Sequence, residues 1–514
     1  MARVLTVVRR AVASFILAAS LSACATHPSS PSFQPTQVSR PFADSKAVRQ
    51  LKADLGTIFS SPVMARSVWG VDIRSAATGQ LIYSHNGDRL MMPASNMKIL
   101  TLAAAAQNLG WDYRCRTILE TTAPVEAGVL RGDLIIRGSG DPSINTRENH
   151  AAAVFDEWGQ ALRSAGITAI DGRIVGDDQA FDDEGLGPGW SWDYLEAGYA
   201  SPVGALQFNE NVADLAISPG AVEGDPAIIR LTPGTGLTLT NRVTTAAAGS
   251  TQGRLAVYRR VDRPELEISG SIPLGAKPVN RTVAVINPTR FFAQGVKDAL
   301  VARGISISGE AVDLDDVAAE FAARAGMTRR ELVATQSPPL RDIATVLMKV
   351  SQNQYAETLL KAVGASAGAQ GNTDGGRLAA AATFTGWGIP RDGYVMSDGS
   401  GLSRYNYIAP STITSVLRRM YGDPVHRDAF LATLPVAGID GTISTRMRKT
   451  RAAGNARAKT GSIANVRSLS GFVNTQDGET LVFSIMANDF VIPSATVDWM
   501  ADLAVETLAN LTRR

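Results

Sequence analysis

The spacing of apolar residues changes several times along this chain, and each change predicts a different element. Ala11 to Leu21 form a largely apolar run behind Arg3, Arg9 and Arg10. The run is shorter than the ~20 residues a bilayer-spanning helix needs, so it reads as an export signal. Residues 25 to 44, rich in Ser, Pro, Thr and Gln, read as a flexible tether, with the first ordered region starting near Val48. Val68 to Ile73 and Leu81 to Ser84, separated by a turn region with Ala76-Ala77-Thr78-Gly79, predict a hairpin. It leads to a helix that opens at Ser95 and carries the apolar run Ile99 to Ala104. Far downstream, Lys459 to Val473 and Glu479 to Met486 are strand-like, and Thr496 to Leu511 is helical. The two chain ends are therefore expected to share one sheet in an α/β domain.

Between about 125 and 330 the pattern is different. Short β-like runs punctuated by Gly and Pro follow one another: Gly132 to Arg137, Ala213 to Ile217, Ala227 to Leu231, Leu237 to Leu239, Leu255 to Tyr258, Glu265 to Ser269 and Thr282 to Ile286. A helical run, Phe291 to Arg303, closes the segment. This predicts a β-rich insertion.

Composition changes the picture little. The 514 residues are 45% apolar and 19% charged, enough for two or three domains. Residues 1 to 23 hold three of the basic residues and no acidic one, so the chain without them is close to neutral. No nucleic-acid or anionic-membrane footprint is visible. Leu21-Ser22-Ala23-Cys24 resembles a bacterial lipobox, which would lipidate Cys24 and tie the chain to a membrane outside the cytoplasm; the other reading is ordinary cleavage near Ala23 or Ala25. With Cys24 lipidated, Cys115 is alone, without a disulfide partner, and reads as a small packed side chain. His27, His85, His150 and His426 are scattered without metal-ligand spacing, and no cofactor is expected.

The candidate chemistry lies at Ser95-Asn96-Met97-Lys98. Residues three apart on a helix share a face, which sets the Lys98 amine beside the Ser95 hydroxyl as a base beside a nucleophile. Alone this pattern is common. It is followed by Ser351-Gln352-Asn353 at the start of the helical run Tyr355 to Leu360, and by Lys459-Thr460-Gly461 at the start of a strand. That ordered trio is similar to the motifs of penicillin-binding proteins and class A β-lactamases. Gln352 replaces the usual central Asp, which is tolerable because only Ser351 and Asn353 need face the cleft. Gly364-Ala365-Ser366-Ala367-Gly368 mimics a nucleophile elbow, but follows a helix instead of a strand. Gly138-Ser139-Gly140 reads as a turn.

Over about residues 46 to 510 the chain resembles the D-alanyl-D-alanine carboxypeptidase/endopeptidases among the low-molecular-mass class C penicillin-binding proteins. The likeness includes Gly138 to Pro142, Ala200 to Leu206 with Phe208 to Asn211, Ser337 to Leu340, Asp398 to Arg404 and Leu434 to Thr442. It implies a penicilloyl-serine transferase (DD-peptidase/β-lactamase-like) fold with inserted β-rich domains. The expected division is 45–124 with 331–514 as the catalytic domain, 125–215 with 285–330 as a first inserted domain, and 216–284 nested within it.

The resemblance also implies roles. Ser95 attacks the D-Ala-D-Ala amide with Lys98 as base, and Ser351 relays a proton. Asn353 holds substrate and Lys98. Lys459 lowers the Lys98 pKa, and Thr460 and Ser462 bind the terminal carboxylate. Backbone N–H groups of Ser95 and Ser462 take the oxyanion, and Gly461 leaves room for substrate along the strand edge. Arg404 and Asp177 are the implied lining of a pocket for the stem peptide's diamino acid, although Ala464 stands near the family's usual glutamine. The expected partners are peptidoglycan stem peptides, with β-lactams as inhibitors, in the periplasm. Two other readings are a β-lactamase, disfavoured by the 256 positions between Ser95 and Ser351, and a non-catalytic peptidoglycan-binding lipoprotein, disfavoured by the intact motifs.

Overall fold

The computed structural model describes residues 45–512 except 147–148, 234–236, 261–263, 323–325, 367 and 369. The segments expected to be an export signal and a tether, with Cys24, lie outside the described residues. No described helix is long and apolar enough to cross a membrane.

The two ends of the chain do build one sheet. Its five strands run in the order Leu81–His85, Val68–Ser75, Thr480–Asn488, Val466–Asn474 and Arg457–Ile463, each antiparallel to its neighbour. The two-residue period of a strand sorts its side chains between two cores. Leu481, Phe483 and Ile485 face helices Lys46–Phe59 and Ser494–Ala509 through Leu55, Val497 and Leu508. Val482 and Met486 join the opposite core with helices Met97–Leu109, Asn353–Ala365 and Pro410–Gly422. A sheet covered on both faces explains why Thr480–Asn488 is almost wholly buried and reads as a continuous apolar run.

Helix Met97–Leu109 is buried all round from Met97 to Ala106. Its alanines, Ala103 to Ala106, let helices Asn353–Ala365 and Thr373–Gly386 approach closely. The turn before this helix is thus anchored to a closely packed core.

The insertion departs from the sequence reading in two ways. Its main sheet has the order Ala311–Asp313, Ile174–Asp177, Leu134–Gly138, Arg116–Thr121 and Arg330–Gln336. Arg116–Thr121 and Arg330–Gln336 pair with each other at the root of the insertion, so the expected boundaries at 124 and 331 cut through this sheet. The nested part likewise starts at Val212, because strand Val212–Ser218 is its central pairing partner, not at 216. Two three-stranded sheets there enclose Leu215, Ile217, Leu266, Ile268 and Val283. The outer part is not simply β-rich. Helices His150–Ser164 and Pro288–Ala302 bury Phe155, Trp158, Phe291 and Phe292 against its sheet. The first of these was missed; its apolar positions Val154, Phe155, Trp158 and Leu162 carry the helical spacing that could have revealed it. From Lys46 onward the chain is one compact unit.

Candidate active site

Ser95 sits in the 3₁₀ turn Ala94–Asn96 that starts helix Met97–Leu109. The turn is forced out of ordinary geometry. Ala94 has φ 46°, a left-handed conformation that costs a non-glycine residue about 1 kcal/mol or more and is tolerated where surrounding packing holds it. Several groups do so: Asn96 Nδ2 donates to Lys459 O at 2.9 Å, and Ser468 Oγ donates to Pro93 O at 2.7 Å. The turn is thus stitched to the strand that carries Lys459. Gly461 is required at this contact for a different reason from the one expected. A Cβ there would lie 2.1 Å from Ser468 Oγ and 2.6 Å from Pro93 O, so the constraint is the Ser95 turn itself, before any substrate arrives. At Gly401, with φ 86°, a Cβ would fall 1.8 Å from Ala94 O. Two backbones therefore pack directly on the Ser95 turn.

Lys98 is fully buried, with its amine 3.0 Å from Ser95 Oγ, 2.6 Å from Asn353 Oδ1 and 2.7 Å from Ser400 O. Burial lowers its pKa to about 7, against the charges of Asp398 and Glu357, which pull the other way. Lys459, also buried, donates to Ser351 Oγ at 2.7 Å and Thr460 O at 2.8 Å. Its pKa is pushed well below that of a free lysine by burial and then by the charge of Lys98. Desolvation is the largest cause of the lowered Lys98 pKa, and the repulsion between the two buried amines acts on both of them.

The second motif also has a strained serine. Ser351 has φ 62°, and the following Gln352 caps helix Asn353–Ala365 by accepting from Gln354 N at 3.0 Å. Its amide also reaches Glu210. Gln352 therefore points away from the chemistry, as its tolerance of substitution required. Asn353 Nδ2 donates to Tyr199 O at 2.7 Å, which fixes the amide so that Oδ1 faces Lys98.

Ser95, Ser351, Asn353 and Ser462 line one cleft of about 530 Å³, with Tyr194, Tyr199, Leu402, Ile463 and Ala464 among its walls. Tyr194 and Tyr199 stand edge to face with their rings 5.6 Å apart. This aromatic wall comes from the insertion and was not identified from the sequence. Strand Arg457–Ile463 is at the edge of its sheet. Ala458 N donates outward to Pro435 O at 2.9 Å, and the strand period turns Ser462 N–H to the same edge. Thr460 Oγ1 donates to Thr442 Oγ1 at 2.7 Å. Arg404 reaches Ala464 O at 3.4 Å and so stands at the rim.

Asp177 is not part of this cleft. It ends strand Ile174–Asp177 in the inserted sheet, buried, and pairs with Arg329, which also holds Glu120. Cys115 is buried as expected, its Sγ 3.1 Å from Gly140 O. Among the described residues, Asp178, Asp313 and Asp315 bring carboxylate oxygens within 4.8 Å of one another. They line a separate cavity of about 870 Å³ that shares no residue with the Ser95 cleft.

Comparison with known proteins agrees with the geometry. The model of the D-Ala-D-Ala carboxypeptidase 3 (S13) family matches residues 51–509. The D-alanyl-D-alanine carboxypeptidase of Actinomadura sp. (strain R39) is 33% identical over 461 residues, covering 87% of this chain and 82% of that protein. D-alanyl-D-alanine carboxypeptidase DacB of Haemophilus influenzae is 28% identical over 419 residues, covering 80% and 83%. The crystal structure of penicillin binding protein 4 (dacB) from Haemophilus influenzae superposes with a TM-score of 0.73 at 27% identity, over 88% of this chain and 98% of that one. The same protein complexed with a novel β-lactam gives 0.69 at 25% identity, over 89% and 99%.

Proposed function

The chain belongs to the D-Ala-D-Ala carboxypeptidase 3 (S13) family, and on that premise we propose how its residues carry out the reaction. The protein is a serine-type D-Ala-D-Ala carboxypeptidase or endopeptidase that acts on peptidoglycan outside the cytoplasm and binds penicillin.

Ser95 Oγ attacks the carbonyl carbon of the penultimate D-Ala while its proton passes to neutral Lys98. The new oxyanion accepts hydrogen bonds from the Ser95 and Ser462 backbone N–H groups. As the tetrahedral intermediate collapses, the C–N bond breaks and the proton held by Lys98 passes through Ser351 to the departing amine, which returns Lys98 to its neutral form. Water then attacks the acyl-enzyme with Lys98 again as base, releasing the shortened peptide and restoring Ser95. Asn353 holds Lys98 and meets the substrate backbone.

Lys459 and Thr460 take the substrate's terminal carboxylate, Lys459 through Thr460 and Ser351. In the free enzyme, burial and Lys98 oppose a charge on Lys459. An arriving carboxylate supplies the counter-ion that favours it, so substrate binding and protonation of Lys459 are coupled. Arg404 at the rim contributes to holding the charged end of the diamino acid. Upstream, Cys24 is lipidated and residues 25–44 tether the catalytic part to a membrane.

The observation that carries this reading is the Lys98 amine 3.0 Å from Ser95 Oγ and 2.6 Å from Asn353 Oδ1 in a cleft that Ser351 shares. Protein lacking residues 1–24 should form a penicilloyl adduct at Ser95 by mass spectrometry and release D-Ala from a D-Ala-D-Ala peptide. Rapid turnover of penicillin without D-Ala release would instead indicate a β-lactamase. The mass of the mature N-terminus tests lipidation of Cys24.

A further inference from the structure

Lys98 needs more than a low pKa to serve as a base. Its lone pair must point at Ser95. A neutral amine has two N–H donors and one lone pair. Ser400 O is a carbonyl, and Asn353 presents its Oδ1 because its Nδ2 is engaged by Tyr199 O. Both can only accept. They take the two N–H groups, and the lone pair is left for the Ser95 hydroxyl. The position of the Ser400 carbonyl is therefore half of what aims the base.

That carbonyl lies on a loop with an unusual support. Glu357 is one turn beyond Asn353 on the same helix, and its two carboxylate oxygens accept from Gly399 N and Ser400 N, each at 2.8 Å. Thr101, one turn beyond Lys98, donates to Gly399 O at 2.6 Å. Asp398 closes the loop by accepting from Gly401 N at 2.7 Å and Ser403 N at 2.6 Å. The loop also lies tight on the helix: a Cβ at Gly399 would come 2.8 Å from Ala356 O. Glu357 is only 4% exposed, and among the described residues it has no cation within ion-pair distance. A buried carboxylate is costly to keep unless its hydrogen bonds are strong and complete. Here both oxygens accept from the successive N–H groups of Gly399 and Ser400.

We propose that Glu357 is a positioning residue for the general base, fixing the Gly399–Ser400 segment so that the Ser400 carbonyl orients the Lys98 amine toward Ser95. The inference rests on the assignment of Ser95 and Lys98 above. The charged side chains around Lys98 are Glu357, Asp398 and Lys459, and Glu357 and Asp398 together favour its protonated form.

Replacing Glu357 with Gln preserves shape but leaves one oxygen for two N–H groups and removes a negative charge. E357Q should acylate with a β-lactam about 10- to 100-fold more slowly than the parent enzyme, the size of effect known for a mis-set proton transfer. Burial and then the charge of Asp398 raise the Glu357 pKa to about 7, the range of Lys98, so the two titrate together; with the Glu357 charge removed, the acid limb of the acylation pH profile should move to lower pH. E357D keeps the charge and should leave the limb in place at an intermediate rate. A folded E357Q with parental rate and limb would overturn the proposal, since a purely structural carboxylate would change melting temperature alone. If E357Q does not fold, E357D decides: a parental acylation rate would overturn the proposal, and a reduced rate with an unmoved limb would support it. Absence of any adduct at Ser95 in the parent enzyme would overturn the site assignment, and this inference with it.

Discussion

Two serine–lysine pairs share the cleft, and they differ in how the chain brings each together. Ser95 and Lys98 are three residues apart, on a 3₁₀ turn and the helix that continues it, and this local geometry sets them 3.0 Å apart. Ser351 and Lys459 are 108 residues apart, on a helix start and an edge strand, at 2.7 Å. The surroundings differ as well. Lys98 has Glu357 and Asp398 nearby, which hold its burial-lowered pKa at about 7. For Lys459 burial and the repulsion from Lys98 act in the same direction, with no carboxylate opposing them. Under the proposed mechanism the same two residue types serve different tasks: one pair exchanges a proton near neutral pH, and the other receives an anionic partner.

The largest test of that asymmetry is removal of the nucleophile. Ser95→Ala should lower acylation by about 10,000-fold or more and abolish the penicilloyl adduct. Ser351→Ala should leave an adduct at Ser95 that forms roughly 100-fold more slowly, in the range of a lost proton relay. Equal losses in the two variants, measured by stopped-flow acylation, would break the distinction. Next in size are the lysines. Lys98→Met should cost about 1,000-fold in acylation by any β-lactam. Lys459→Met should cost less toward a neutral acyl donor and most toward substrates with a free terminal carboxylate, so a D-Ala-D-Ala peptide and its C-terminal amide should be hardly distinguished by that variant.

The two pairs also show which parts of the site the sequence carries. The Ser95–Lys98 contact is local, so periodicity alone sets it out. The Ser351–Lys459 contact depends on how distant segments fold together, and only the order of the three motifs suggested it. The Ser400 carbonyl was invisible for a stronger reason: a backbone atom has no residue identity, and Asp398 to Ser403 could be quoted as a likeness without any role. Glu357 could have been found, since a carboxylate one turn from Asn353 on a wholly buried helix face must be satisfied somewhere. In the fold, the hairpin and C-terminal strands were legible because a sheet buried on both faces leaves long apolar runs. The roots of the insertion were not, because Arg116–Thr121 and Arg330–Gln336 owe their sheet to each other across two hundred residues. Asp177 was misplaced for the same reason. Its partner Arg329 is 152 positions away, and no local pattern announces a long-range ion pair.

A smaller effect sharpens the contrast in pKa. Because Lys98 is lowered to about 7, its free base is depleted as pH falls. Acylation should drop about tenfold for each unit below 7 and level off above it. The sign follows from the base having to be neutral: protonation removes the lone pair that Ser95 needs. A limb near pH 10, the ordinary lysine range, would mean that burial does not tune Lys98, and the two lysines would then differ only in position.

The smallest effects separate pairs at the cleft from pairs elsewhere. Asp177 and Arg329 are brought together over a long range, as Ser351 and Lys459 are, but as an ion pair in the inserted sheet. Asp177 is 3% exposed, while the Arg329 side chain is 30% exposed, so solvent offsets part of the loss when one partner is removed. Asp177→Asn should therefore lower stability by about 1–2 kcal/mol, seen as a melting temperature reduced by a few degrees. Its acylation rate should stay within twofold of the parent. Arg404→Ala should do the reverse: an unchanged melting temperature, a KM raised about 3- to 10-fold for stem peptides with a free diamino acid, and penicillin acylation within twofold, as expected for one exposed charge–charge contact. If Asp177→Asn changed KM for those peptides and Arg404→Ala did not, recognition of the diamino acid would have to run through the insertion and not through the rim of the Ser95 cleft.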